Sequence, residues 1–300
     1  MIVQYSLSYL RSKLTDQKRV KSENLCSLYH YTNNVKKHQI VKENNITLKL
    51  SCVNDFLDKN ECIQVLEPFY YVCGELYNEK IIDDDFYKLL KGIQKEDLNK
   101  NISSMWVLCF SKDGNSEFMK NRYAPNDGWI LEFNFAFFED LCYNFPKNLG
   151  EINVYEMNYS FKNMSSVFKR ELRKAFDIYK NLKQVDAVGT KRVIVDWLKT
   201  YSLCYKSADY RFEDEVRIVC EFKPCFSFWE DDENGVKIKK EINGNRNTVN
   251  VILDKKHLKA EMQQLDVFCC KEMNKTVITG EEIRAIYKKK STQKIPKNSR

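Results

Sequence analysis

Residues 103–111 read SSMWVLCFS and run directly into Lys112-Asp113-Gly114. Six apolar side chains in a row, bounded by serines and then by a turn, describe a strong strand. The sequence around it repeats the theme. DGWILEFNF (127–135) is a second strand opened by a turn, and GEINVYEMNY (150–159) a third with clearer alternation. EVRIVCEF (215–222) and TVNVILD (248–254) add two more, while SLYHYT (27–32) and VKENNITLKLS (41–51) supply short strands upstream. Helical spacing predicts a helix over 56–77, another over 83–98 opened by three aspartates, one or two long helices over 163–203 broken near Val188-Gly189, and one over 255–265. Strands and helices interleave without regular βα alternation. The expected class is therefore α+β, not a doubly wound sheet.

A chain of 300 residues with 43% hydrophobic and 13% aromatic content can bury a sizeable core. The reading is a polar leader over 1–24, one α+β domain over 25–286 with a helical insertion at about 163–203, and a basic tail over 287–300. The longest apolar run is MWVLCF, against the roughly 20 residues that span a bilayer. The opening MIVQYSLSYLRSK has no continuous apolar segment of the secretory type. Eleven cysteines, an odd number, sit mostly in apolar runs such as those of Cys109 and Cys220, and no C-x-x-C occurs. Reduced thiols, a cytoplasmic setting, no membrane association and no metal are the expectations.

Charge and glycine speak against a basic nucleic-acid groove and against a Gly-rich phosphate loop. Of the formal net charge of +7, the tail 287–300 carries +6 and residues 1–21 carry +4, which leaves the body at −3. A nucleic-acid groove needs a basic body, and this one is acidic. The nine glycines are never closer together than Gly235 and Gly244. No Gly-rich dinucleotide turn or phosphate loop can form on that spacing.

Four stretches could carry chemistry. His30 stands between Tyr29 and Tyr31 in a short strand, where a hydrogen-bonded packing role is the ordinary explanation. CFSKDGNSEFMKNRYAPNDG (109–128) leads from a strand end through a short helix to Tyr123-Ala124 and Gly128; a tyrosine there is ordinarily a core lid. In YRFEDEVRIV, Glu213, Glu215 and Arg217 fall on alternate positions and share one strand face, opposite Phe212, Val216 and Ile218. Such an edge is ordinarily a solvated face on which the arginine neutralises its neighbours. Asn54-Asp55 reads as a helix cap. Cys109 could be offered as a nucleophile, but a thiol inside a strand is ordinarily inert.

In this order the motifs resemble a bacterial family of uncharacterised domains. Its members open with L-Y-H-Y-T (Leu28 to Thr32 here), continue with an N-D helix start (Asn54-Asp55), then C-F-S (Cys109 to Ser111), then Y-A-x-x-x-G (Tyr123-Ala124 with Gly128). They close with E-x-E-x-R (Glu213 to Arg217). The resemblance spans about residues 27–222. The chain departs from the pattern at Phe56 and Asp58, where N-D-P-x-E is usual, and at Lys120 and Tyr210, where tryptophan is usual.

That family is in turn similar to the His-Tyr-Glu branch of ADP-ribosyltransferase folds. The resemblance implies a mixed, split β-sheet with flanking helices around an NAD⁺ cleft, NAD⁺ serving as substrate without a metal. It implies that His30 positions a ribose with help from Thr32, and that Tyr123 stacks on nicotinamide, with Tyr31 as competitor. Glu215 is the implied catalytic carboxylate, and Glu213 its alternative or a base for the acceptor. Arg217 pairs a phosphate or braces the carboxylates. The chemistry is consistent. A tyrosine face attracts a cationic ring by about 0.5–2 kcal/mol. Cleavage of the N-glycosidic bond builds positive charge at the ribose C1′, which a fixed carboxylate stabilises most in the transition state. The resulting expectation is an NAD-dependent ADP-ribosyltransferase acting on a protein or nucleic acid. As a toxin or phage-defence effector it would have a neutralising partner. An NAD⁺ glycohydrolase, an inactive binding module of the same fold, and a nucleic-acid binder using the basic ends are the alternatives.

Overall fold

The computed structural model describes residues 2–14, 25–33, 39–42, 44–56, 58, 60–125, 128–181, 186–222, 229–231, 235–243, 246–254, 256 and 266–269. The hydrophobic run of residues 103–111 becomes strand β3 (Met105–Ser111), the hub of a ten-stranded sheet. Along one edge β3 pairs completely with β6 (Glu215–Phe222), from Met105 opposite Glu221 to Ser111 opposite Glu215. β6 in turn pairs with β5 (Gly150–Glu156).

The other edge of β3 is shared. Ser111 pairs with Tyr29 of β1 (Ser27–Thr32), whereas Trp106 and Val107 pair with Cys52 and Ser51 of β2 (Asn45–Cys52). Between these contacts Leu108, Cys109 and Phe110 face a fork. One branch continues from β1 to β4 (Trp129–Asn134) and β10 (Asp266–Cys269). The other runs from β2 through β9 (Arg246–Asp254) and β8 (Val236–Asn243) to β7 (Trp229–Asp231). Every pairing between named strands is antiparallel, where the sequence reading expected mixed directions. Antiparallel neighbours accept any return connection, from the β8–β9 hairpin to a helical excursion, and so need no crossover of fixed length.

Apolar side chains on the two sheet faces feed different layers. Leu28, Phe110, Leu131, Phe133, Val216 and Ile218 point into a core with Phe137, Phe138 and Leu141 of a helix spanning Phe135–Asn144. Val107, Val219 and Tyr155 face the other way and pack with Cys62, Ile102, Leu203 and Cys204. Beyond them lies a helical layer. In chain order its helices are α1 (Ile2–Lys13), α2 (Leu66–Asn78), α3 (Asp84–Lys91) and α4 (Lys95–Ile102). α5 (Glu117–Tyr123) lies at the fork and α6 is the Phe135–Asn144 helix; α7 (Phe161–Asn181) and α8 (Ala187–Cys204) complete the helical layer.

The helix boundaries differ from the sequence reading for local reasons. The segment expected to be helical from residue 56 makes 3₁₀ turns at Val53–Asp55 and Glu61–Ile63 before α2 begins at Leu66. Asp55 caps no α-helix: it accepts from Asn247 N at 2.5 Å and so ties this segment to β9. The helix expected over 83–98 divides because Gln94 and Asp97 form a capping box that starts α4. Asp186 accepts from Gly189 N at 2.9 Å, which puts Gly189 in the first turn of α8 and the break before it. The stretch read as an insertion, 163–203, shares one apolar cluster with α1, α2 and α3. Part of the leader is α1, whose Leu10 is fully buried. The expected helix over 255–265 and the tail lie outside the described residues, except Lys256. Among the described residues no helix is long and apolar enough to cross a membrane.

Candidate functional site

The site grows from the turn that enters β6. Residues Ala208–Glu213 form a 3₁₀ helix, and Asp214 then adopts a left-handed conformation with φ of 41°. Aspartate tolerates that region better than most residues. The turn is held from both sides: Lys112 N donates to Asp214 O at 2.9 Å, and Ser111 Oγ donates to Glu213 O at 2.9 Å. Glu213 is thus a turn residue, not a strand residue, but the bend still brings its side chain beside Glu215 and Arg217. Phe118 of α5 packs on Phe212 with ring centroids 4.0 Å apart, which docks the helix carrying Tyr123 against this turn.

Glu213, Glu215 and Arg217 are 5%, 3% and 0% exposed, so they do not form a solvated face. Their charges are matched by a residue the sequence reading did not single out. Lys206 Nζ lies 2.5 Å from Glu215 Oε2, 2.6 Å from Glu213 Oε2 and 3.1 Å from Glu61 Oε1. Arg217 Nε donates to Glu215 Oε1 at 2.8 Å, its Nη1 donates to the Leu203 carbonyl at 3.1 Å, and its Nη2 pairs with Glu61. The Arg217 and Lys206 charges hold the Glu215 carboxyl far below the usual carboxylate range despite its burial. Burial instead pushes the Glu213 carboxyl up, against the pull of Lys206. Two glutamates two residues apart are driven in opposite directions.

Cys109 connects the remaining candidates. It stands directly opposite Arg217 in the β3–β6 register, at the fork, and the Glu215 charge acts on its thiol. On the β1 side His30 Nδ1 is 3.2 Å from the Cys109 carbonyl, which makes Nδ1 the protonated nitrogen because a carbonyl only accepts. The imidazole also packs on Phe110 at 5.4 Å. Tyr123 is 42% exposed, yet the surrounding protein and the Glu213 charge raise its phenol. Cys109 is also exposed while surrounding protein raises its thiol. Cys109 reaches solvent at the fork where β1 and β2 diverge along β3, and this opening forms a recess. Tyr123 interacts electrostatically with Glu213, Lys206 and Cys109. Arg122 Cζ sits 5.2 Å over the Tyr123 ring, showing that this face accepts a cation.

Tyr31 and Thr32 have other surroundings. Tyr31 is 6% exposed, and its hydroxyl donates to the Asp113 carbonyl at 2.5 Å and accepts from Ser116 N at 3.2 Å. It pins the loop before α5. Thr32 is buried opposite Trp129 of β4. Tyr159, outside the sequence motifs, accepts from Glu215 N at 2.8 Å and thereby orients the start of β6. Glu61, Tyr159 and Lys206 carried no readable signal, because the local pattern of a helix, a strand or a turn does not report which distant side chains will meet. Among the described residues no group of three or more His, Cys, Asp and Glu side chains is placed to hold a metal.

The last motif position has a steric explanation. A Cβ on Gly128 would lie 2.3 Å from the Ala124 carbonyl carbon and oxygen, since the chain folds back over the end of α5. Gly128→Ala is expected to lower stability by about 1–3 kcal/mol, read as a shift of the urea midpoint with unchanged slope. An unshifted midpoint would mean that this loop does not hold Tyr123 in place. Comparison with known proteins gave no match to a family model, to a curated protein or to a solved structure.

Proposed function

We propose that the protein binds NAD⁺ in the recess at the sheet fork, cleaves its nicotinamide bond and transfers ADP-ribose to a macromolecule. The observation behind this reading is the nearness of the Tyr123 phenol and the ionised Glu215 to Cys109, while the His30 imidazole packs on Phe110 and bonds the Cys109 carbonyl. It supports an ADP-ribosyltransferase-like arrangement of a forked sheet. In it Tyr123 faces the cationic ring, His30 accepts from a ribose hydroxyl through Nε2 while its Nδ1–H is held by the Cys109 carbonyl, and Glu215 faces the developing charge at C1′. Glu213, with its raised carboxyl, suits removal of a proton from the acceptor. Plain hydrolysis is the same chemistry with water as acceptor. A toxin or phage-defence effector with a neutralising partner is the biological setting this proposal carries.

One observation favours a second reading, a module that keeps the fold and binds a partner without catalysis. Glu215 is only 3% exposed and is held by two cations. Cavities of about 120 and 400 Å³ lie elsewhere, one at Val53, Asp58 and Cys62, the other between α8 and the β5 face that carries Asn153 and Tyr155. Incubation with NAD⁺ labelled in its adenylate half, together with a cell lysate, separates these outcomes. Label on protein or nucleic acid is expected. Free nicotinamide without transfer of label indicates the hydrolase, and intact NAD⁺ the module.

A further inference from the structure

Lys206 is 5% exposed, and its ammonium joins three carboxylates that arrive from three separate elements. Glu61 comes from a 3₁₀ turn, Glu213 from the turn before β6, and Glu215 from β6 itself. The lysine backbone is fixed independently: Lys206 N donates to the Asn158 carbonyl at 3.2 Å, and Asn158 N donates to the Cys204 carbonyl at 2.7 Å. The stem leaves a rigid position, and Nζ stands 5.4 Å over the Tyr210 ring, which adds a further cation-binding face. Three carboxylates against Lys206 and Arg217 leave one net negative charge in the buried group. Arg122 Nη1, 4.0 Å from Glu213 Oε1 on the open side, is the next cation. The other titratable groups facing the cluster are Cys62, Cys109, Cys204, Tyr123 and Tyr159, all raised by burial and therefore neutral.

We propose that Lys206 is the positioning residue of this site: its charge, shared among Glu61, Glu213 and Glu215, keeps Glu215 an anion facing the recess and sets the proton affinity of Glu213. Without that ammonium the buried group would carry two net negative charges, a burden that low-dielectric surroundings relieve by taking up a proton. Glu213 takes it, since its carboxyl is already raised. The catalytic consequence rests on the proposed NAD⁺ chemistry; the charge balance does not.

The test is a carboxyl-carbon NMR titration of the full chain with labelled glutamate, which needs no turnover. In Lys206→Met the Glu213 midpoint is expected to rise by at least one pH unit, a tenfold gain in proton affinity. Lys206→Arg should restore the wild-type midpoint, because charge and not shape is at issue. An unchanged midpoint in Lys206→Met, or an arginine variant that is folded yet titrates like the methionine variant, overturns the proposal. Should Lys206→Met not fold, the double variant Lys206→Met/Glu213→Gln decides, because it returns the group to one net negative charge. It should fold and melt above the single variant, and failure to do so also overturns the proposal.

Discussion

Replacing Arg217 by methionine is expected to cost about 3–5 kcal/mol of folding stability, the penalty of stranding buried carboxylates without their cation. No other side chain in the described structure combines full burial with so many fixed partners. Its guanidinium serves Glu215, Glu61 and the Leu203 carbonyl, and lies 5.6 Å over the Phe56 ring. A domain holding about 5–15 kcal/mol in total would lose about a fifth of it or more, and thermal and urea unfolding should both register the loss. The pH dependence supplies an independent check. The Glu215 carboxyl is depressed by its cations, so its contribution is complete above the ordinary glutamate range and disappears as pH falls below it. Arg217→Met should flatten that acid limb as well as lower the plateau. A variant that lost less than about 1 kcal/mol would show that the guanidinium is far less desolvated than its burial implies.

The same residue marks where sequence pattern carried the reading and where it stopped. Alternation along residues 215–222 placed Arg217 on the face of Glu215 and away from Val216 and Ile218, and the structure keeps that division. Periodicity cannot say whether a strand face meets water or protein. The E-x-E-x-R face was therefore readable as solvated, although Leu203 of helix α8 and Lys206, just beyond that helix, cover it. The hydrophobic run of residues 103–111 correctly signalled a strand. Its position at a fork follows from long-range pairing with β1, β2 and β6, which leaves no local trace. Helix starts failed for a related reason. Phe56 lies in helical spacing, but Asp55 finds its partner in Asn247, 192 residues away, and that tertiary contact overrides the local pattern.

Glu215→Gln carries the largest expected effect on activity. If the recess cleaves NAD⁺, removing the one fixed anion beside the developing C1′ charge should lower turnover by about 10²–10³-fold, the scale on which preorganised electrostatic groups act. The substitution keeps shape but also weakens the pairs with Lys206 and Arg217, so lost activity alone would not separate chemistry from structure. Glu61→Gln provides the control. It removes one carboxylate from the same two cations, yet Glu61 comes from the 3₁₀ turn before α2 and acts on the Cys109 thiol more weakly than Glu215 does. Comparable losses of melting temperature are expected in the two variants, with turnover falling less than tenfold in Glu61→Gln. The pH profile sharpens the distinction. Glu215, depressed by its cations, contributes no titration near neutrality. Any rising limb in the wild-type profile should therefore belong to Glu213, whose carboxyl burial raises. Glu213→Gln should erase that limb, whereas equal losses of turnover in Glu215→Gln and Glu61→Gln would reduce the cluster to a structural brace.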